Sequence, residues 1–267
     1  MKADLERLVP LVRRAAQEEL LSRFRRVASS HKADGSLITA ADLAMQNRLL
    51  AELERHWPER RLLGEEMSAA EQQALMESGE AGLWCLDPLD GTRNFASGFP
   101  VFSVSLALIC GGEVVLGLVL DPLRDECFTA VQGAGAWLNG MPLTLAGEDG
   151  ELAGTLAIAD LKRLPPPLAA RLATAPPFAS QRSIGSVALD WCWLATGRVQ
   201  LYVHGRQNLW DYAAGRLVFA EAGGHHGTLE GWGSGPADLA PRSAVGAVGA
   251  ERYRLWQEWL LESASDK

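Results

Sequence analysis

Cysteine is sparse in this sequence and never clustered. Cys85, Cys110, Cys127 and Cys192 form no C-x-x-C pair, which argues against a zinc or redox centre and for buried, reduced thiols of a cytoplasmic protein. Long apolar runs are also lacking: none approaches the ~20 residues that span a bilayer, and the opening "MKADLERLVPLV" has no apolar core of a secretory leader. No membrane partner is therefore expected. Positive charge is in short supply, with 25 Lys and Arg against 33 Asp and Glu and a net charge of -8. The one basic cluster, "SRFRR" at 22–26, sits on an amphipathic helix and reads as a solvated face, so no nucleic-acid partner is expected. An acidic protein that binds an anionic ligand needs cations to do so. Missing as well are H-E-x-x-H, G-x-S-x-G and a Walker A loop. The five histidines do not pair at ligand spacing, and His225-His226, after Gly223-Gly224, reads as a surface turn.

What is present is an ordinary globular composition, 48% hydrophobic over 267 residues, enough for one large domain or two packed lobes. Apolar residues from Leu5 to Val27 recur with a helical period over 4–28, and Pro10 marks a kink or a second start. A second helix is expected over 39–57, with Thr39 as N-cap and Asp42 three residues on. "RLLGEE" at 61–66 reads as a short strand ending in acids, and Ser68 with Glu71 as the capping box of a third helix. "GLWCLDPLDGT" is a buried strand, followed by a hairpin hinged at Gly111-Gly112 and further strands to about 143. The Gly-, Pro- and Ala-rich stretch 146–180 reads as a lobe boundary and variable loop. Beyond it come a helix at "SVALDWCWLATG", a strand at "VQLYVH", a helix at "LWDYAAGRLVFAEAG" and a last helix near "ERYRLWQEWLLES". Meander strands followed by helices point to layered α/β packing. Most of the nine tryptophans lie in apolar runs, hence in the core.

The chemistry concentrates in "LDPLDGTRNFASGF" at 86–99. An aspartyl-phosphate motif D-x-D-G-T fails, because Pro88 stands two before Asp90. An EF-hand loop fails on its alternating oxygens and distal Glu. A hard-cation site survives: Asp87 and Asp90 could bridge two Mg2+ ions, with the Leu89 carbonyl as a further oxygen. Gly91 would let the backbone approach a phosphate, and a helix starting at Thr92 would turn free N–H groups toward it. Supporting acids are Glu65-Glu66 at a strand end and Asp211 at a helix start. Each has a plainer reading: a solvated turn for the glutamates, a dipole partner for Asp211, a capping box for Asp42.

Taken together, "GEE" at 64–66, "DPLDGTRNF" at 87–95 and "WDYAAGRLVFAEAGG" at 210–224 resemble the inositol monophosphatase family. "HKADGSLITAAD" at 31–42, "FPVFSVSLAL" at 99–108 and "GAGAWLNG" at 133–140 agree in order and spacing. The resemblance implies an αβαβα five-layer sandwich, an N-terminal α+β lobe (1–145) carrying most metal ligands, and a C-terminal α/β lobe (146–267) supplying Asp211, joined as one catalytic unit. It implies a cytoplasmic homodimer that hydrolyses a small phosphorylated metabolite with two or three Mg2+ ions, is inhibited by Li+, and accepts Mn2+ as a substitute. Glu65, Asp87 and the Leu89 carbonyl would hold the first ion; Asp87, Asp90 and Asp211 the second; Glu65 would reach a third. Thr92, paired with Asp42, would orient and help deprotonate the attacking water. Substrate contacts are implied for Leu89, Asp90, Gly91, Thr92, Gly185, Ser186, Asn208 and Asp211, with Lys32, Glu66 and Arg206 as further candidates.

Departures concern the leaving group. The familiar inositol phosphatases carry a His three before the last metal Asp, where this sequence has Asn208, and a Glu upstream, whereas no acid lies here between Asp190 and Asp211. Arg206, Gln207 and Asn208 could serve a second anionic or polyhydroxyl group, or form a polar surface turn. Inositol monophosphate or a related sugar phosphate is the leading substrate. Fructose 1,6-bisphosphate, adenosine 3',5'-bisphosphate and histidinol phosphate stay open, as does a catalytically silent regulatory relative.

Overall fold

The computed structural model describes residues 1–24, 29–31, 37–78, 82–145, 150–231 and 237–265. In chain order, helix α1 (Lys2–Ala15) passes into a wide π-type turn (Ala16–Leu21), and a small hairpin β1 (Ser29–His31)–β2 (Leu37–Thr39) leads to α2 (Ala40–His56). Then come β3 (Arg61–Gly64), α3 (Ala69–Ser78), β4 (Leu83–Asp90) and the six-residue α4 (Thr92–Ser97). A meander follows: β5 (Ser103–Cys110), β6 (Glu113–Asp121), β7 (Glu126–Val131), β8 (Gly135–Leu138) and β9 (Met141–Leu143). The remainder is β10 (Leu156–Asp160), a 3-10 turn (Leu161–Arg163), α5 (Pro166–Thr174), β11 (Ser180–Arg182), α6 (Val187–Ala195), β12 (Leu201–Gln207), α7 (Leu209–Glu221), β13 (His225–Gly227), β14 (Arg242–Ala247) and α8 (Ala250–Ser265).

Strands β3 to β9 form a seven-stranded sheet in sequence order, antiparallel except for the parallel pair β3–β4. A five-stranded sheet runs β11-β10-β12-β14-β13, with β10 parallel to both neighbours. Period-two side-chain alternation explains the layering. On β4, Trp84 and Leu86 join Leu8, Val12, Met45 and Leu49 of α1 and α2, while Cys85 faces the other way with Trp191 and Phe219 of α6 and α7. Tyr202 and Ala244 of the second sheet close that same middle cluster, and Val203 and Val245 point outward with Leu168, Trp256 and Leu260. The result is the αβαβα five-layer sandwich. Both faces of β4 are covered, so all eight of its residues are buried, which is why its sequence is nearly continuously apolar.

Most local expectations hold. Thr39 caps α2, with its side chain accepting from the Ala41 amide and Asp42 reaching back to the Thr39 amide. Ser68 and Glu71 exchange the capping-box bonds. All four cysteines are free thiols, Cys85, Cys127 and Cys192 buried. Three readings need correction. The first helix continues through Pro10, an exposed position, with no second start there, and regular helix stops at Ala15. The stretch 146–180 is not a loop throughout: it holds β10, α5 and the start of β11. Its prolines serve as helix entry, since Pro166 opens α5, where a missing N–H costs nothing. His226 is not on a surface turn; it lies on β13, part-buried, with its ring near Trp191 and Phe219. That burial pushes its pKa down to about 4. The residues 25–28 that would end the expected first helix lie outside the described residues.

Close approach of α7 to the seven-stranded sheet depends on Gly117, where an added Cβ would stand 2.7 Å from the Ala214 carbonyl oxygen. We expect Gly117→Ala to destabilise the chain by about 2 kcal/mol through overpacking against backbone that cannot swing away. Gly154→Ala, with nothing within 4 Å of the new carbon, should stay within about 0.5 kcal/mol of the parent. Denaturant unfolding of the pair measures the contrast.

Candidate active site

The parallel pairing of β3 and β4 sets Gly64 opposite Leu86, so the residue after β3, Glu65, comes to rest at the end of β4 beside Asp87. The Glu65 amide donates to the Leu86 carbonyl at 3.1 Å, holding that turn to the sheet. Pairing of β4 with β5 shifts register between Asp87 and Asp90, a bulge that re-aims side chains at the strand end. Asp87 accepts from the Leu89 amide at 2.9 Å. Gly91, at φ +93°, turns the chain into α4, and an added Cβ there would stand 3.1 Å from the Val101 carbonyl and 3.2 Å from that of Gly185. Only glycine suits that corner. Thr92 then opens α4, its hydroxyl 3.0 Å from both Asp42 Oδ1 and the Leu89 carbonyl.

Asp42 is wholly buried at the first turn of α2, where its Oδ2 accepts from the amide and hydroxyl of Thr39. The helix cap therefore uses one carboxylate oxygen and leaves the other for Thr92. Asp211 repeats the device on α7, accepting from the Asn208 amide at 2.9 Å. Asp90 is tied to the middle layer: Ser186 Oγ at 2.5 Å, the Ala188 amide at 2.8 Å, the Val187 amide at 3.2 Å and Ser103 Oγ at 3.3 Å all donate to it. Asn94 reinforces the same seam, donating to the Ile184 carbonyl at 2.7 Å.

The carboxyls of Glu65, Asp87, Asp90 and Asp211 crowd one polar cleft of about 250 Å³, lined also by Leu89, Gly91, Thr92, Gly185, Ser186 and Asn208; Asp42 lies behind it, joined to it through Thr92. Burial first, then mutual repulsion, drives Asp87 and Asp211 well above the usual carboxylate range. Burial lifts Asp90 to about 6 against the pull of its four donors, and raises Asp42 against its threonine bonds. A cluster of hard oxygens that cannot all ionise unaided fits a divalent oxygen-seeking cation, which would supply the missing positive charge. Among the described residues no three such side chains are drawn into ready ligand geometry; Asp87 and Asp90 are instead engaged by the donors named above.

The remaining candidates lie elsewhere. Glu66 does not line the cleft, and its amide is near Gln46 Oε1 at 3.3 Å. Arg206 is exposed outside it, its amide donating to His204 Nδ1 at 3.2 Å. Gln207 is buried below, bonded to Trp191 and Tyr202. Of the trio 206–208, Asn208 alone reaches the cleft. Lys32 lies outside the described residues. The sequence reading missed Arg93, next to Thr92, and the opposite wall: Asp160, Arg163, Asp190 and His204. The parallel pairing of β10 with β12 sets Asp160 beside His204, a proximity no local pattern announces.

A model described as the inositol monophosphatase family matches residues 3–267. Inositol monophosphatase 1 of Solanum lycopersicum is 36% identical over 201 residues, covering 73% of this chain and 72% of the relative. Nus factor SuhB of Pasteurella multocida (strain Pm70) is 36% identical over 199 residues, covering 72% of each. The structure of an IMPase from Thermotoga maritima superposes with a TM-score of 0.84 at 27% identity, over 99% of both chains. With the five layers and the carboxylate cleft, these likenesses make this chain a member of the inositol monophosphatase family and a phosphoric monoester hydrolase.

Proposed function

We propose that the protein hydrolyses a small phosphate monoester, inositol monophosphate or a related polyol or sugar phosphate, with Mg2+ in the carboxylate cleft. The observation that carries the reading is the gathering of Asp87, Asp90 and Asp211, all raised by burial and Asp87 and Asp211 also by repulsion, beside the Gly91-Thr92 turn. Glu65, Asp87 and the Leu89 carbonyl would hold one ion, Asp87, Asp90 and Asp211 a second, and Glu65 a looser third, with Mn2+ as a substitute. Bound there, the ions neutralise the ester, acidify the attacking water and stabilise the leaving alkoxide. The chain's own part is placement. Gly91 and Thr92 amides face the phosphate, with Gly185 and Ser186 across from them. Thr92 Oγ1, its hydrogen held toward Asp42 Oδ1 at 3.0 Å, accepts from the attacking water, and Asp42 takes up the proton through it. The two lobes, 1–145 and 146–267, act as one catalytic unit in a cytoplasmic homodimer.

A second reading, a regulatory binding protein with little turnover, draws support from the likeness to a Nus factor SuhB. The full set of acids and Thr92 favours catalysis. Sugar bisphosphates, adenosine 3',5'-bisphosphate and histidinol phosphate belong in the first substrate screen beside inositol 1-phosphate.

Phosphate release from such a panel should require Mg2+, stop with chelator, fall with Li+, and be abolished by Asp90→Asn; silence of the native chain on every ester would favour the regulatory reading. Thr92→Ala should lower kcat by about a hundredfold or more while KM changes little. The metal-free protein should behave unusually with pH. Asp90 takes its proton at about 6 when folded and at 3.8 when unfolded, so the folded chain binds more protons over that interval. Its contribution to stability therefore grows as pH falls through about 6. His226, held neutral in the fold at about 4, loses stability over the same range, so the Asp90 part is read as a difference: in thermal unfolding without metal, lowering the pH from 7 to 5 should favour the parent over Asp90→Asn, and Mg2+, occupying the same carboxylates, should shrink that difference.

A further inference from the structure

Opposite the carboxylate cluster, the cleft wall is built of hydrogen-bond donors. Of its two acids, Asp160 is already committed. The Arg206 amide donates to His204 Nδ1 at 3.2 Å, so the neutral imidazole carries its hydrogen on Nε2, which faces Asp160 Oδ2 at 3.2 Å. Arg163 donates to the same oxygen at 2.9 Å, and the Lys162 amide to Oδ1 at 3.2 Å. The His204 bond, with Arg163, holds the Asp160 carboxyl down at about 2. The other acid on this wall, Asp190, is buried and pushed well above the usual range, with the Tyr202 hydroxyl donating to it.

What remains available is cationic. Arg163 is half exposed on the cleft, its fork fixed on one side by Asp160 and open on the other. Arg93, exposed at the start of α4, adds a second guanidinium on the same rim. Hydroxyls of a neutral polyol call for no guanidinium; Arg163, with one edge of its fork open, and Arg93 on the same rim are the match for an oxyanion.

We propose that the leaving group carries its own anionic substituent, a carboxylate or a second phosphate, bound by Arg163 with Asp160 and His204 as its positioning residues. This rests on the phosphatase reading above and narrows its substrate from a neutral polyol phosphate to one with a second charge.

The test uses matched esters: sorbitol 6-phosphate against 6-phosphogluconate for the carboxylate, and fructose 1-phosphate against fructose 1,6-bisphosphate for the phosphate. Phosphate release is followed in the native chain and in Arg163→Met and Arg163→Lys, all with Mg2+. Dissociation constants are measured by calorimetry in a Thr92→Ala background, with and without the Arg163 changes. In at least one pair the charged ester should be favoured by about tenfold or more, chiefly through KM and Kd. Arg163→Met should collapse that ratio toward one and Arg163→Lys partly restore it; the pair that responds identifies the substituent. Ratios near one in both pairs for the native chain overturn the proposal. So does a preference that survives Arg163→Met and disappears in Arg93→Met. Failure to release phosphate from any of the four esters would count against the phosphatase reading, and the Kd ratios would still decide this one.

Discussion

Placing several carboxyl groups in one buried cleft is the constraint from which the rest of the structure follows. Each acid loses hydration on burial and repels its neighbours, so Asp87, Asp90 and Asp211 resist ionisation in the bare protein. Such a cluster persists only where rigid elements enforce it and hydrogen-bond donors or cations offset it. Here the donors are backbone amides at turns and helix starts: Leu89 for Asp87, Val187 and Ala188 for Asp90, Asn208 for Asp211. The fold's investment in those positions is an arrangement poised to accept positive charge.

Rigidity comes from the layers. β4 is sealed on both faces, by α1 and α2 on one side and by α6 and α7 on the other, so its end is a fixed platform. Gly117 allows α7 to settle against the meander, which sets the height of Asp211 over β4 and β5; the Ser105 hydroxyl, donating to the Trp210 carbonyl at 2.9 Å, pins the helix start there. Asp90 and Asn94 then stitch the β4–α4 corner to the segment entering α6. The cleft lies along that seam, with Glu65, Asp87 and Asp90 at the ends of β3 and β4 on the side of the seven-stranded sheet and the Arg163 guanidinium on the turn that follows β10.

Much of the acid side was legible because it is local. Thr39 with Asp42, and the run from Asp87 to Thr92, announce a cap, a strand end and a turn through residue type and spacing alone. The donor wall was not legible for reasons equally specific. Asp160 and Arg163 lie in a Gly-, Pro- and Ala-rich stretch that reads as a break, although Pro166 there begins a helix. His204 sits in a strand like any other, and its partner is 44 residues earlier in the numbering, brought alongside only by the parallel register of β10 and β12. His226 misled through its diglycine neighbour, when β13 in fact edges the second sheet.

The sequence by itself determined the family pattern, the layered α/β class and the identity of the acids, since these depend on side-chain chemistry and short-range periodicity. Only the tertiary structure decided that Asp42 divides its two oxygens between a helix cap and Thr92, that Gln207 is core and Asn208 is not, and that the Asp160 carboxylate is spoken for by His204 and Arg163. Those facts are set by which strand ends and helix starts meet across layers, and a hydrogen bond spanning tens of residues leaves no trace in local spacing.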